Sequence, residues 1–237
     1  MTSSTSWTRW RTSWGDRHGS TPISSTWRAA PTSSRRSLPC TRSEPFPDLV
    51  NLAGSRTGHF RLESGHHTEL WLDLDQLFAR PAVLRPHVAE LGRRVSARRI
   101  DAVCGPLSGG AFLAQLIAAD LGVEFAFAER IVTDRTGLFP VDYRIVPALR
   151  GVLLGKRVAI VDDAISAGSA VRGTLADVKA CGALPLVLGA LISFGSRARE
   201  IAADERIPLE SLVQLPDPIW VPTECPMCAL GAPLQTP

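Results

Sequence analysis

The chain has 237 residues, of which 45% are hydrophobic and 21% charged, and its formal net charge is +3. This length and apolar content can bury a sizeable core, so a wholly disordered protein is excluded. The longest mostly apolar run, ALPLVLGALISF, is too short to cross a membrane and predicts a buried strand. Five scattered cysteines favour a reducing cytoplasm over a disulfide framework.

The first 45 residues differ in composition from the rest of the chain. From Met1 to Ser43 there are seven arginines, no lysine, one acid and four of the six tryptophans. With few aliphatic residues and no regular period, residues 1–45 cannot bury a core, so we predict disorder or a mis-set start site. A transit peptide and a nucleic-acid-binding tail remain as alternatives, and no apolar stretch indicates a secretory signal.

Globular patterning begins near Phe46, and we predict one domain over residues 46–216, followed by a tail over 217–237. Apolar spacing, glycine and proline predict the elements in chain order. The predicted elements are a helix turn and hairpin at 49–74, a helix at 81–99, a strand at 100–105, a helix at 111–122, a strand at 123–128, a long loop or loose hairpin at 130–145, a strand at 157–163, a helix at 169–182 and a strand at 184–194.

The predicted strands are almost continuously apolar, and they alternate with helices. This order predicts an α/β fold with a mostly parallel central sheet that helices cover on both faces. Ligands of such sheets bind where the carboxyl ends of the strands turn into the following helices. The sequence therefore directs attention to the end of the strand at 157–163, where Asp162 and Asp163 stand side by side.

The stretch VAIVDDAISAGSA, residues 158–170, combines these two aspartates with a run of small residues. Carboxylates without basic partners favour hydroxyl donors or a hard cation. Small residues before a helix let backbone N–H groups approach a phosphate closely. A strand cap and helix cap without a ligand is the plain alternative, because Asp and Ser are ordinary capping residues. The whole run nevertheless favours a site for a ribose 5-phosphate.

VAIVDDAISAGSA resembles the phosphoribosyl pyrophosphate (PRPP) signature of type I phosphoribosyltransferases, specifically the orotate phosphoribosyltransferase form. DAVCGPLSGGAFLAQLIA, residues 101–118, resembles the pyrophosphate loop of that family and its following helix. GHFRLESGHH, residues 58–67, is similar to its amino-terminal substrate segment. The resemblance implies the type I fold with a mobile lid and a small N-terminal hood. It also implies transfer of phosphoribose from PRPP to a nucleobase, with orotate the default base and Mg²⁺ accompanying PRPP.

The resemblance also implies a role for each matching residue. Asp162 and Asp163 would be catalytic, because fixed carboxylates stabilise positive charge that develops on the ribose ring. We expect Mg²⁺ to keep mostly water and substrate oxygens, with no metal ligand assigned to the protein. The remaining predicted site residues are, for PRPP, Ala164, Ile165, Ser166, Ala167, Gly168, Ser169 and Ala170; for pyrophosphate, Leu107, Ser108, Gly109 and Gly110; for the lid, Arg130, Arg135 and Arg144; and for the base, Ser166, Phe194 and Arg197.

The chain departs from the orotate pattern at several positions. Its lid stretch ERIVTDRTGLF has no lysine or histidine, and Glu63 and Gly109 stand where lysine is common. The position where an arginine would meet the orotate carboxylate aligns with Phe194 or its neighbours, and Arg197, three residues further on, could substitute only if the loop shifts. These losses favour a second hypothesis, a regulatory protein that binds PRPP or a nucleotide but has weakened catalysis. A receiver-like domain would need a third Asp and a Lys, which we do not find.

The tail carries Cys225-Pro-Met-Cys228, which has the spacing of a zinc knuckle. A zinc ribbon would need a second pair, so the tail alone leaves zinc binding open. We expect Cys104 and Cys181 in the core, and His59, His66 and His67 on surface loops. The resemblance further implies a homodimer. The cysteine pattern predicts the cytoplasm, and we expect no membrane or nucleic-acid partner.

Overall fold

The computed structural model describes residues 48–62, 65–132, 141–216 and 219–235. The N-terminal segment predicted to be disordered lies outside these ranges. In chain order the elements are α1 (Asp48–Leu52), β1 (Arg56–Arg61), β2 (His67–Trp71), α2 (Asp75–Ala79), α3 (Pro81–Ser96), β3 (Ala102–Pro106), α4 (Gly109–Leu121), β4 (Glu124–Val132), β5 (Val141–Ile145), α5 (Pro147–Leu153), β6 (Arg157–Ile165), α6 (Ser169–Ala180), β7 (Leu184–Phe194), α7 (Arg197–Glu205), β8 (Leu209–Leu215), β9 (Ile219–Trp220), a 3₁₀ turn (Pro222–Glu224) and α8 (Pro226–Ala229).

Six of the described strands form a central sheet in the order β5-β4-β3-β6-β7-β8. All neighbours are parallel except β4 and β5, which pair antiparallel at the edge. The predicted α/β fold with a mostly parallel sheet is therefore confirmed. The stretch 130–145, expected to be a loop or loose hairpin, forms parts of β4 and β5, with Arg130 opposite Tyr143. Residues 133–140, between those strands, lie outside the described ranges.

The sheet separates two apolar cores, which explains why its strands are apolar on both faces. Val103, Val161 and Leu191 face a core that includes side chains of α3 and α4. Cys104 and Ile160 face the other core, to which α6 and α7 contribute. Cys104 and Cys181 are buried free thiols, as predicted. None of the described helices is long and apolar enough to cross a membrane.

A second, smaller sheet joins the start of the described chain to its tail. It has the order β1-β2-β9, and β2 pairs antiparallel with both neighbours. His67 lies opposite Trp220, and Thr68 lies opposite Ile219. The expectation of surface histidines was wrong for His59 and His67, which are only 4% and 7% exposed because the tail covers them.

One carboxylate connects the antiparallel edge of the central sheet to α6. Asp177 Oδ2 accepts hydrogen bonds from the Ile145 backbone N–H at 2.7 Å and from Arg150 Nη1 at 2.6 Å. Its side chain is only 16% exposed, so these bonds are partly shielded from water. The same carboxylate therefore connects the end of β5 and the last turn of α5 to α6.

We expect Asp177→Ala to lower the free energy of unfolding by about 2 kcal/mol, because it removes charge-assisted hydrogen bonds and leaves a backbone N–H unsatisfied. Urea denaturation followed by circular dichroism measures the change. Asp120→Ala is the control, since its pair with Arg85 joins side chains that are 33% and 74% exposed. The control should cost less than about 1 kcal/mol. Equal losses in both variants would contradict the role given to Asp177.

Candidate active site

A cavity of about 370 Å³ lies at the carboxyl ends of β3 and β6. Its wall includes Asp162 and Asp163 from β6, Ala170 from α6, and the turn between β3 and α4. Two sequence motifs separated by about fifty residues therefore meet at one opening. The described residues that line it are Trp71, Leu72, Asp73, Leu74, Asp75, Pro106, Leu107, Ser108, Gly109, Asp162, Asp163 and Ala170.

The two aspartates are held within a strand, not at a frayed end. Strand β6 continues to Ile165, and Asp162 lies opposite Ala190 of β7. Asp162 Oδ1 accepts the Asp163 N–H at 3.1 Å, and Asp163 Oδ1 accepts the Ala164 N–H at 2.8 Å. These backbone bonds fix both carboxylates before a ligand arrives.

The electrostatics of the pair favour an incoming cation or hydroxyl donor. Asp162 is 7% exposed, and its burial, followed by the adjacent Asp163 charge, raises its pKa well above the usual value. Burial also raises the pKa of Asp163, although the Asp162 side chain and the Ala164 amide lower it. Two acids in such surroundings resist ionising together, so a partner that stabilises their charge gains affinity.

Two glycines let the turn after β3 lie directly against these carboxylates. A Cβ on Gly110 would lie 2.6 Å from Asp162 Oδ1, and one on Gly109 would overlap the Asp163 carboxylate. A larger residue at either position would have to displace an aspartate. The Leu107–Ser108 peptide bond is cis. The structure therefore places the predicted pyrophosphate loop, residues 107–110, against the aspartate pair.

Of the predicted 5-phosphate loop, residues 164–170, the first two residues belong to β6 and the last two to α6, so residues 166–168 connect the strand to the helix. Ile165 is 1% exposed and packs in the core, so only its backbone can face a ligand. Ala167 and Ser169 are exposed, and Ser166 is half-buried. Gly168 has a φ of +76°, and a Cβ there would overlap Ile201, so glycine is required before α6 begins. The open backbone of this turn can approach an anion closely.

A smaller cavity of about 150 Å³ contains two of the three predicted base-binding residues. Its described lining is mostly apolar and includes no arginine or lysine: Leu62, Thr68, Leu70, Trp71, Leu72, Leu74, Ser166, Phe194 and Ile219. Arg197 is not in this wall. It begins α7, is 56% exposed, and donates from Nη1 to Glu200 Oε2 at 3.0 Å.

The predicted lid arginines are only partly described. Arg130 is exposed on β4 and lies beside Tyr143 of β5. Arg144 pairs with Asp142 at 3.5 Å and is 60% exposed. Arg135 and Glu63 lie outside the described residues.

Sequence reasoning missed the segment Trp71–Asp75, which lines the larger cavity. Asp73 accepts a hydrogen bond from Gln76 Nε2 at 2.6 Å, and Asp75 is exposed as the first residue of α2. The run LDLD, with two acids beside tryptophan, was the available signal. Its distance along the chain from the other motifs concealed its place in the site.

Asp162→Asn should stabilise the free protein by about 0.5–2 kcal/mol at neutral pH, as happens when a functional site carries unfavourable charge. The folded-state pKa values of the pair lie above the unfolded ones, so the folded protein binds more protons. Stability should therefore fall as pH rises through the raised pKa values, and less so in the variant. Urea denaturation between pH 4 and 8 measures both effects.

Asp75→Asn serves as the matched control, because Asp75 lines the same cavity but is exposed. Its effect on unfolding should stay within about 0.5 kcal/mol. If Asp162→Asn is no more stable than the wild type at any pH, the charge pair does not carry the strain assigned to it.

Comparison with known proteins identifies the family. The family model "Phosphoribosyl transferase domain" matches residues 74–214, more than half of the chain. Among solved structures, the orotate phosphoribosyltransferase of Aeropyrum pernix superposes with a TM-score of 0.56 at 22% identity, over 70% of this chain and 90% of that one. The adenine phosphoribosyltransferase of Trypanosoma brucei gives a TM-score of 0.56 at 19% identity, over 73% and 82%. These structures support the fold.

Curated relatives give a more specific likeness. The orotate phosphoribosyltransferase of Caldanaerobacter subterraneus subsp. tengcongensis is 30% identical over 76% of this chain and 88% of its own length. That of Thermotoga maritima is 30% identical over 76% and 89%. The resemblance predicted from the motifs is therefore confirmed, together with a pentosyltransferase activity at the level of the family. The chain belongs to the phosphoribosyltransferase family.

Proposed function

We propose that the protein is an orotate phosphoribosyltransferase, which converts PRPP and orotate into orotidine 5′-monophosphate and pyrophosphate. The observation that carries this proposal is the single cavity in which the Asp162–Asp163 pair meets the loop at 107–110. The names of the relatives at 30% identity support orotate as the acceptor.

PRPP would bind with its parts distributed along the end of the sheet. Asp162 and Asp163 would accept hydrogen bonds from the ribose hydroxyls. Backbone N–H groups of residues 166–170, with the hydroxyls of Ser166 and Ser169, would hold the 5-phosphate at the start of α6, because the Ala164 N–H already donates to Asp163 Oδ1. Residues 107–110 would hold pyrophosphate, since Gly109 and Gly110 leave room beside the carboxylates.

In the reaction, a nitrogen of the base forms a bond to ribose C1 while the bond from C1 to pyrophosphate breaks. Pyrophosphate leaves with the bonding electron pair, and the nitrogen releases its proton. Positive charge develops on the ribose ring as pyrophosphate departs. The buried carboxylates of Asp162 and Asp163 are already oriented by backbone bonds, so they stabilise that charge with little reorganisation.

Mg²⁺ is the cofactor that we propose, entering with PRPP. The chemistry of the site fits it, because Asp162 and Asp163 offer two buried carboxylates whose pKa values are raised by burial. When bound, the ion would neutralise phosphate charge. These two residues would hold it through its water ligands.

The base would occupy the cavity of about 150 Å³ beside the ribose site. Phe194 and Trp71 offer apolar surface to a planar ring, and Ser166 connects this cavity to the 5-phosphate loop. The carboxylate of orotate would have to be met by hydroxyl and backbone donors or by a shift of Arg197. Arg130 and Arg144, from the paired strands β4 and β5, are proposed to meet pyrophosphate together with Arg135.

We also propose that the enzyme acts as a homodimer in the cytoplasm. Val83 of α3 and Phe112 of α4 are 45% and 47% exposed, which supports burial against a second copy. The free thiols of Cys104 and Cys181 suit a reducing compartment. Light scattering of the purified protein measures the oligomeric state.

Asp163→Asn should lower kcat for PRPP-dependent formation of the nucleotide by about 100-fold or more, because it removes a carboxylate aimed at developing charge. Pyrophosphate release, measured at saturating substrate, gives kcat. Asp204→Asn is the control: Asp204 lies on α7 with its side chain 66% exposed, and its kcat should match the wild type. Unchanged turnover in Asp163→Asn would exclude the proposed role.

A panel of bases tests the acceptor and the regulatory alternative together. Orotate, uracil, adenine and hypoxanthine are each supplied with PRPP and Mg²⁺, and calorimetry measures PRPP binding separately. We expect turnover with orotate alone. Binding of PRPP without turnover on any base would instead support the regulatory protein. The absence of lysine from the lid stretch favours that alternative. Failure to bind PRPP would exclude both.

A further inference from the structure

Four potential metal ligands converge where the tail meets the small sheet. They are His59 of β1, His67 of β2, Cys225 and Cys228, and we call them the His₂Cys₂ cluster. One ligand atom from each lies within 4.8 Å of all the others. His59, His67 and Cys225 are 4%, 7% and 3% exposed, whereas Cys228 is exposed. The cluster lies apart from the candidate active site, and neither cavity described above includes any of its members.

Four of the six distances within the cluster are close to the edges of one tetrahedron. Zn–N bonds of about 2.0–2.1 Å and Zn–S bonds of about 2.3 Å imply edges of about 3.3–3.8 Å. His59 Nε2 lies 3.5 Å from Cys225 Sγ and 3.6 Å from Cys228 Sγ. His67 Nδ1 lies 3.2 Å from Cys228 Sγ and 2.9 Å from His59 Nε2. These four edges therefore require an adjustment of about half an ångström or less, and all four ligand atoms lie within 4.8 Å of one another.

The His59 ring nitrogen that faces away from the cysteines already has a hydrogen-bond partner of the kind found beside metal-bound histidines. His59 Nδ1 lies 2.9 Å from the Ala232 carbonyl oxygen, which accepts its N–H. Donation there leaves a lone pair on Nε2, the atom that faces the cysteines. A backbone carbonyl in this position is a common way to orient a metal-bound imidazole.

The local backbone explains how residues so distant in sequence come together. Strand pairing places His67 opposite Trp220, and the Gln235 N–H donates to the His59 carbonyl at 2.7 Å. The tail is therefore bonded to the small sheet at Trp220, before the two cysteines, and at Gln235, after them. Cys225 precedes the one-turn helix α8, and Cys228 lies within it, so both thiols face the histidines.

We propose that the His₂Cys₂ cluster binds one Zn²⁺ ion as a structural site. Two thiolates and two imidazoles in a tetrahedron are a characteristic zinc ligand set, and redox-inert Zn²⁺ suits a reducing compartment. Four protein ligands leave no position for a substrate. The ion therefore fastens the tail to β1 and β2 and takes no part in the transfer reaction, so this site is independent of the proposed function.

The first test measures metal in the full chain, purified without a histidine tag. Mass spectrometry of dialysed protein should give one zinc per chain, and a competing chelator should give the affinity. Co²⁺ exchanged into the site should show intense visible bands of tetrahedral cobalt and thiolate-to-cobalt charge transfer. Removal of zinc should lower the melting temperature, because the folded chain holds the ion far more tightly than the unfolded one.

Cys225→Ser and His67→Gln should each weaken zinc affinity by about 100-fold or more, since each removes a ligand. Cys181→Ser and His66→Gln are the matched controls, because these residues lie outside the cluster and should keep full zinc. The measurements on wild-type protein need no variant to fold. Wild-type protein without zinc or a tetrahedral cobalt spectrum would overturn the proposal, as would a Cys225–Cys228 disulfide or equal loss of zinc in the controls.

Discussion

Two adjacent carboxylates near the end of a central strand constrain the segments that pack around them. Asp162 and Asp163 have no basic side chain among the described residues that line their cavity. Backbone N–H groups orient these carboxylates, and a bound ligand would stabilise their charge. Such a pair is unfavourable in the free protein, and it persists because the sheet and α6 fix its position. The fold therefore holds both carboxylates in fixed positions, so that they need little reorganisation when a positive charge develops beside them.

The turn after β3 shows how closely the rest of the site is fitted to that pair. Gly109 and Gly110 have no side chains because the carboxylates occupy the space where a Cβ would stand. One segment is thus defined by the other, although about fifty residues separate them. Gly168 is constrained in the same way, because a Cβ there would overlap the Ile201 side chain of α7.

The sequence could predict the central sheet because its strands have a pattern that few other structures share. Buried parallel strands such as β6 and β7 read as continuous apolar runs, and α4 ends at a glycine. The short helices α2 and α5 and the edge strand β8 were missed because their apolar faces are narrow and half-buried. The PRPP motif was visible because its residues are contiguous. The cavity proposed for the base could not be predicted as a whole, because β2, β7 and β9 supply its walls from distant parts of the chain.

The tail has a consequence for how this protein can change over evolution. Ile219 of β9 and Thr68 of β2 lie opposite each other in the small sheet, and both line the cavity proposed for the base. The larger cavity, proposed for PRPP, is lined mainly by residues of the central sheet, its loops and α6. Substitution of Ile219 would therefore change the cavity proposed for the base without changing a residue that lines the larger cavity. Among the described residues, Ile219 is the tail residue through which a change in sequence near the C-terminus would reach the cavity proposed for the base.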